Sequence, residues 1–165
     1  MIKENFQYEI LDLARTAKVT EGGKRLKIRA AVVIGDLNGK IGFGVGKGQD
    51  KSDAFQKAIF QAQKNLINVP IVNGTLPFEV RAKFKSSEVL LKPAKPGKGL
   101  IAGGPVRKVL FLAGYKDATA KILGVTKNNF TNALATIKAL EKLANIYENK
   151  LKLKDILEKK KNGSN

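Results

Sequence analysis

Residues 40–48, Lys-Ile-Gly-Phe-Gly-Val-Gly-Lys-Gly, carry a glycine at every second position. An extended chain sends successive side chains to opposite faces. Ile41, Phe43 and Val45 therefore share one face, and Gly42, Gly44 and Gly46 leave the other bare. A bare strand face lets another backbone come very close. The occupant expected first is a packed helix or neighbouring backbone, with an RNA backbone as the second reading. Nucleotide binding is a third, because glycines also admit phosphates. The spacing rejects it: a P-loop needs glycine at 41 and Ser or Thr at 48, where the chain has Ile41 and Gly48. The Gly-x-Gly-x-x-Gly fingerprint is also unmet.

The preceding segment alternates differently. Leu26, Ile28, Ala30, Val32 and Ile34 occupy one parity, and Arg25, Lys27 and Arg29 the other. A strand built from them has an apolar face and, over its first half, a cationic one. Ala31 to Ile34 is apolar on both faces and should be buried. Gly35 to Gly39 carries hairpin-turn chemistry, with Asn38-Gly39 suited to positive φ. Glu9 to Thr20 reads as extended, although Ile10, Leu11 and Leu13 also suit a helix start. Glu21-Gly22-Gly23 is a turn. Asp50 suits a helix cap and Asp53 the first turn. Phe55, Ala58, Ile59, Ala62 and Leu66 then follow helical spacing. The first half is three strands and a helix.

Asn68 to Thr75, with Pro70 and the Asn73-Gly74 turn, marks a boundary. Phe78 to Phe84 and Val89 to Leu91 are strands, and residues 93–99 form a basic, flexible Pro/Gly loop. Pro105 opens a helix with Val109, Leu110, Leu112 and Ala113 on its buried side, and Gly114 ends it. Ala118 to Gly124 is a short strand. Phe130, Leu134, Ile137, Leu140 and Ala144 mark a long amphipathic helix. Lys150 to Asn165 is lysine-rich with a weak apolar stripe at Leu153, Ile156 and Leu157, a marginal helix that needs a partner. The fold class is α+β in two small domains. Residues 1–69 are three strands plus a helix, 70–147 a β-α-β-α sandwich, and 148–165 a basic tail.

Charge decides between functions. The 165 residues include 31 Lys and Arg against 14 Asp and Glu, a net charge of +17. Such a body repels itself, and a polyanion removes the cost. Nucleic acid and anionic membrane are the candidates. The longest apolar runs, such as 30–34, fall far short of the ~20 residues that span a bilayer. The first five residues lack the apolar region of a signal peptide. Without Cys there is no disulfide framework, and the expected location is cytoplasmic. With neither Cys nor His, thiolate nucleophiles, imidazole bases and common zinc sites are excluded. The expectation is a binding protein, not an enzyme, with no metal, cofactor, membrane or small-molecule substrate.

Arg25, Lys27 and Arg29 share one sign along a strand face, and Lys18 and Lys24 add to them with only Glu21 nearby. Such a stripe beside a diglycine loop suits phosphates better than internal ion pairs. Lys92, Lys95 and Lys98 lie in a second acid-free stretch. With Arg15 and Lys47 these are the candidate RNA ligands, and Gly22-Gly23 would let the loop enter a narrow RNA space. The few aromatics fall mostly on apolar parities, so base stacking has little support. Readout of backbone and shape is expected.

Several stretches resemble one family, bacterial small-subunit ribosomal protein five. They are Gly22-Gly23-Lys24-Arg25, Ala31 to Asp36, Asn38 to Gly44, Gly46-Lys47 and Asn73-Gly74-Thr75. They continue with Leu90 to Ala94, Ile101 to Arg107, Leu112 to Gly114, Lys121 to Gly124 and Ala133 to Leu140. The resemblance spans most of 9–143, in order. It implies a first domain related to the double-stranded-RNA-binding fold and a second α+β domain. It implies a place on small-subunit rRNA near the decoding region and the channel by which mRNA enters. It implies contacts with small-subunit proteins four and eight, and roles in assembly and decoding accuracy. The family's diglycine loop lies near the spectinomycin pocket, which carries over to Lys18, Gly22, Gly23 and Lys24. Gly103, Gly104 and Arg107 match the stretch that borders protein four. Glu21 stands where a basic residue is usual. Leu26 and Ile28 replace a common aromatic pair, which should repack the core. A free double-stranded-RNA-binding regulator is the alternative.

Overall fold

The computed structural model describes residues 6–162, with side chains described over 6–153. The expectations for residues 1–5 and 163–165, and for the side chains of Ile156 and Leu157, lie outside the described residues. β1 (Gln7–Thr20), β2 (Gly23–Gly35) and β3 (Lys40–Gly48) form an antiparallel meander. α1 (Lys51–Lys64) returns across it, and β4 (Leu66–Asn68) pairs with the outer edge of β3. The sheet order is β1-β2-β3-β4, one strand more than the pattern announced. Leu66, expected on the helix, belongs to that strand. α1 ends at Lys64 with Asn65 as its cap, and Leu66 sits opposite Gly42. One apolar residue at helical spacing does not tell a last turn from the next strand.

The bare face of β3 is occupied by α1. A methyl group placed on Gly44 would lie 2.0 Å from the Ala58 carbonyl oxygen, and on Gly46 2.0 Å from that of Ala54. The helix answers with Ala54, Ala58 and Ala62, all fully buried. Two smooth surfaces thus meet at backbone distance, with Ala30, Val32 and Ile34 completing the layer. This overturns the reading of the glycine strand as an approach for RNA, because no phosphate fits there.

The second unit contains β5 (Val80–Phe84), β6 (Ser87–Pro93), β7 (Leu100–Ile101), α2 (Gly104–Ala113), β8 (Ala118–Ile122) and α3 (Asn129–Asn162). Its sheet order is β5-β6-β8-β7, with β7 parallel to β8. Val89 and Leu91 of the sheet cluster with Val106, Val109 and Leu110 of α2 and Ala139, Leu140 and Leu143 of α3. The same cluster takes in Ala31, Val33 and Ile41 from the first sheet. That sheet is therefore buried on both faces from Ala31 to Ile34 of β2. The stretch beyond residue 150, expected as a separate marginal helix, continues α3 without a break to Asn162.

The β2–β3 turn is also a joint. The Leu37 N–H donates to the Leu112 carbonyl at 3.1 Å, and the Gly39 N–H to that of Ala113 at 3.0 Å. These carbonyls end α2 and have no partner within the helix. A methyl group on Gly114 would lie 2.1 Å from the Leu37 carbonyl oxygen. The turn differs from the expected Asn38-Gly39 geometry, since Leu37 (φ 61) and Gly39 (φ 98) take positive φ. Asp36 explains it. Its Oδ1 accepts from the N–H groups of Asn38 at 2.8 Å and Lys40 at 2.9 Å. Tyr115 braces the connection to residue 70, its hydroxyl donating to the Pro70 carbonyl at 3.0 Å. Burial pushes that hydroxyl's pKa up. Among the described residues no helix is long and apolar enough to cross a membrane.

Gly44→Ala should cost about 3 kcal/mol or more by overpacking, read as a lower urea midpoint. Gly22→Ala, with nothing within 4 Å of the added methyl, should stay within about 0.5 kcal/mol of the parent. Equal midpoints would refute the close helix–strand contact.

Candidate nucleic-acid interface

β3 ends opposite Ile28. β1 and β2 continue past it, pairing Thr16–Lys27, Ala17–Leu26, Lys18–Arg25, Val19–Lys24 and Thr20–Gly23. The result is a two-stranded arm about 17 Å long. Residues 21–27 are all exposed. The Thr20 hydroxyl donates to the Gly23 carbonyl at 3.0 Å and closes the tip. Gly23 has φ +127, which favours glycine, and a methyl group on either Gly22 or Gly23 would meet nothing within 4 Å. The protein's own packing therefore leaves the tip narrow without using the space.

A bulge near Leu11 sets the polarity of this arm. Ile10 pairs with Val32, but Asp12 pairs with Ala31. The extra residue shifts every later side chain of β1 to the other face. Lys18 thereby stands directly opposite Arg25, and Thr16 opposite Lys27. Lys47 lies opposite Arg29 on the same face. Thr16, Ala17, Lys18, Arg25, Lys27 and Lys47 line a groove of about 450 Å³ with no carboxylate in its wall. Like charges placed opposite each other on a sheet are destabilising. No carboxylate of the groove wall offsets that repulsion.

Not every candidate joins this groove. Arg15 and Lys24 point to the other face of the arm, opposite Ile28 and Val19. Lys24 also borders the concave tip formed by residues 20–25. Arg29 is engaged internally: its Nη2 donates to Asp12 Oδ2 at 2.9 Å, and its guanidinium lies 5.5 Å from the Phe130 ring centroid. Phe130 meets Phe43 edge-on at 5.5 Å. Arg29 thus helps bind the first sheet to α3. Asp12 reaches Arg29 only through the β1–β2 register, and Phe130 only through the docking of α3, so distance along the chain reveals neither partner.

Lys92 Nζ lies 3.1 Å from Glu79 Oε2. Lys95 and Lys98 are exposed in the β6–β7 loop. That loop is tied at both ends rather than loose: the Ala94 N–H donates to Thr75 Oγ1 at 3.1 Å, and the Gly99 N–H to Asp117 Oδ1 at 2.7 Å. Gly103 caps α2, and its carbonyl accepts from the Arg107 N–H at 2.8 Å. Gly104 and Arg107 border a separate groove of about 620 Å³ with Glu9, Leu100 and Phe111. Lys108 closes the seam nearby, 3.1 Å from Glu9 and donating to the Ile10 carbonyl at 2.9 Å. The expected core role of Leu26 is overturned, because it is 63% exposed on the arm. Ile28 does pack on the α1 layer. Among the described residues no group of three His, Cys, Asp or Glu side chains is placed to hold a metal.

An α+β body carrying a cationic arm with a carboxylate-free groove is the architecture of a polyanion-binding protein. The comparisons make this specific. The profile of the N-terminal domain of ribosomal protein S5 matches residues 6–70, and that of its C-terminal domain matches residues 82–152. The chain is 49% identical to small ribosomal subunit protein uS5 of Thermotoga neapolitana over 140 residues, 85% of this chain and 78% of that one. It is 47% identical to uS5 of Thermotoga maritima over the same shares. It is 44% identical to uS5 of Thermosipho africanus over 154 residues, 93% of this chain and 86% of the relative. The chain belongs to the ribosomal protein S5 family.

Asp12→Asn should loosen the seam between sheet and α3 by about 0.5–1 kcal/mol, the scale of a partly exposed ion pair. Urea unfolding would read it. An unchanged midpoint would show that Arg29 does not need its carboxylate.

Proposed function

We propose that this chain is a structural constituent of the small ribosomal subunit that grips rRNA with the β1–β2 arm. The observation that carries the reading is the carboxylate-free groove of Lys18, Arg25, Lys27 and Lys47. Membership of the S5 family supports it, as does a net charge of +17. Lys24 and Arg15 add charge on the opposite face, and Gly22-Gly23 let the tip enter a narrow space. Lys95 and Lys98 form a second contact. Arg29 and Lys92 share their charge with Asp12 and Glu79 and contribute less. Gly103, Gly104 and Arg107 border small-subunit protein four, and protein eight is a further neighbour. Through these contacts the chain supports assembly, decoding accuracy and the mRNA entrance. It works in the cytoplasm, without catalysis.

The proposed units are 1–69 for rRNA binding, 70–147 for the second domain and 148–165 for a basic tail. The end of β4 at Asn68 supports the first boundary. The second falls within α3, so the tail begins as an extension of a packed helix.

Affinity for small-subunit rRNA should fall roughly 10³–10⁵-fold between about 50 and about 200 mM salt if about 6–10 phosphates are contacted. A flat isotherm would contradict the reading. Arg25→Glu with Lys27→Glu should lower incorporation into small subunits, read by sedimentation of cell extract, without lowering the melting temperature of the isolated protein. A wild-type protein found free of subunits in that gradient would favour the free RNA-binding regulator instead.

A further inference from the structure

The arm has a second face, and the groove does not use it. Val19 and Leu26 stand there as diagonal neighbours, through the pairs Val19–Lys24 and Ala17–Leu26. They are 73% and 63% exposed. α1 reaches along this side of the sheet only to Gly48, which pairs with Ile28. The apolar pair lies beyond that limit. Its flanks are cationic, with Lys24 opposite Val19 and Arg15 opposite Ile28. Between residues 13 and 35 the chain has a single acid, Glu21.

An isolated two-stranded ribbon is marginal in water, and large apolar side chains on it add a cost that a partner removes. The cationic flanks select that partner. They match a polyanion. They also disfavour a second copy of the arm, whose Arg15 and Lys24 would face their own kind. The two faces belong to one ribbon a single strand layer thick, so the second surface is continuous with the groove around both edges and the diglycine tip. RNA offers the complementary chemistry, because its shallow groove displays riboses and base edges beside the phosphates.

We propose that the Val19–Leu26 face packs on riboses and base edges of the RNA whose phosphates the opposite face binds, so that the arm sits wedged between two RNA segments. This rests on the rRNA-binding reading above and assigns its two halves to two faces of one ribbon. Phosphate neutralisation supplies the salt dependence, and apolar contact supplies a part that salt does not touch.

The two contributions separate in one experiment. The full-length protein is titrated with a transcript of bacterial small-subunit rRNA from about 50 to about 200 mM KCl. The double variant Val19→Thr/Leu26→Thr keeps β-favouring side chains and removes apolar surface at exposed positions only. It should bind about tenfold or more weakly at every salt concentration, on a line parallel to the parent's. Lys27→Gln should instead flatten the line by about 0.7–0.9 in slope. Parent-like affinity of the double variant would overturn the proposal, and so would a loss accompanied by a changed slope. A parent that sediments as a dimer, with a monomeric double variant of unaltered RNA affinity, would assign the face to self-association and overturn it too. A flat line for the parent would strike the phosphate reading alone, and a loss in the double variant would still locate RNA on this face.

Discussion

α1 lies on β3 at backbone distance because Gly42, Gly44 and Gly46 carry no side chains and Ala54, Ala58 and Ala62 carry the smallest ones. A contact this close makes a thin layer. The helix covers β2 and β3 without reaching round to the opposite face, where Ala31, Val33 and Ile41 remain available to the second unit. The shared sheet is consequently clamped from both sides. Its turn at Leu37 and Gly39 is pinned to the last carbonyls of α2. Close-packed interiors of this kind transmit strain rather than absorb it. What projects from the clamp does so in a direction fixed by both cores.

The arm is that projection, and the role of its charges changes along it. At Arg29 the cation is consumed internally by Asp12 and Phe130. Two residue pairs further out, at Lys27, no carboxylate shares the wall. The strand thus passes from a residue that joins the two units to residues lining a groove that holds no carboxylate. A partner bound to the groove would sit directly against the seam between sheet and α3, so binding and the docking of the two units share a boundary.

Much of this was legible in the chain. Alternating glycines demanded a close neighbour, and a helix with alanines at 54, 58 and 62 followed within a few residues. The same-sign run at Arg25, Lys27 and Arg29 announced a cationic strand face. The internal use of Arg29 was not legible, because Asp12 lies far off in sequence and meets it only through strand register. Nor was the exposure of Leu26. Its parity matches that of buried Ala30 and Val32, and parity assigns a face without saying where the cover of that face ends. The turn misled for a local reason: an Asp36 carboxylate that accepts two backbone N–H groups overrides the preference of Asn38 for positive φ.

The bulge is the least visible feature and has the longest reach. Leu11, the extra residue, is buried in the main core. Continuing the pairing of Ile10 with Val32 without it would set Lys18 opposite Lys24 rather than Arg25. Lys18 would then share a face with Leu26, and Val19 would turn toward the groove. Arg15 would take the place of Lys18 beside the groove, and neither face would be free of large apolar side chains. A packing demand at Leu11, about 23 Å along the strand from Lys18, therefore decides that Lys18 faces the groove and Val19 the opposite side of the arm. Register is a collective property of a strand, and here a single core residue sets it for a surface that never touches the core.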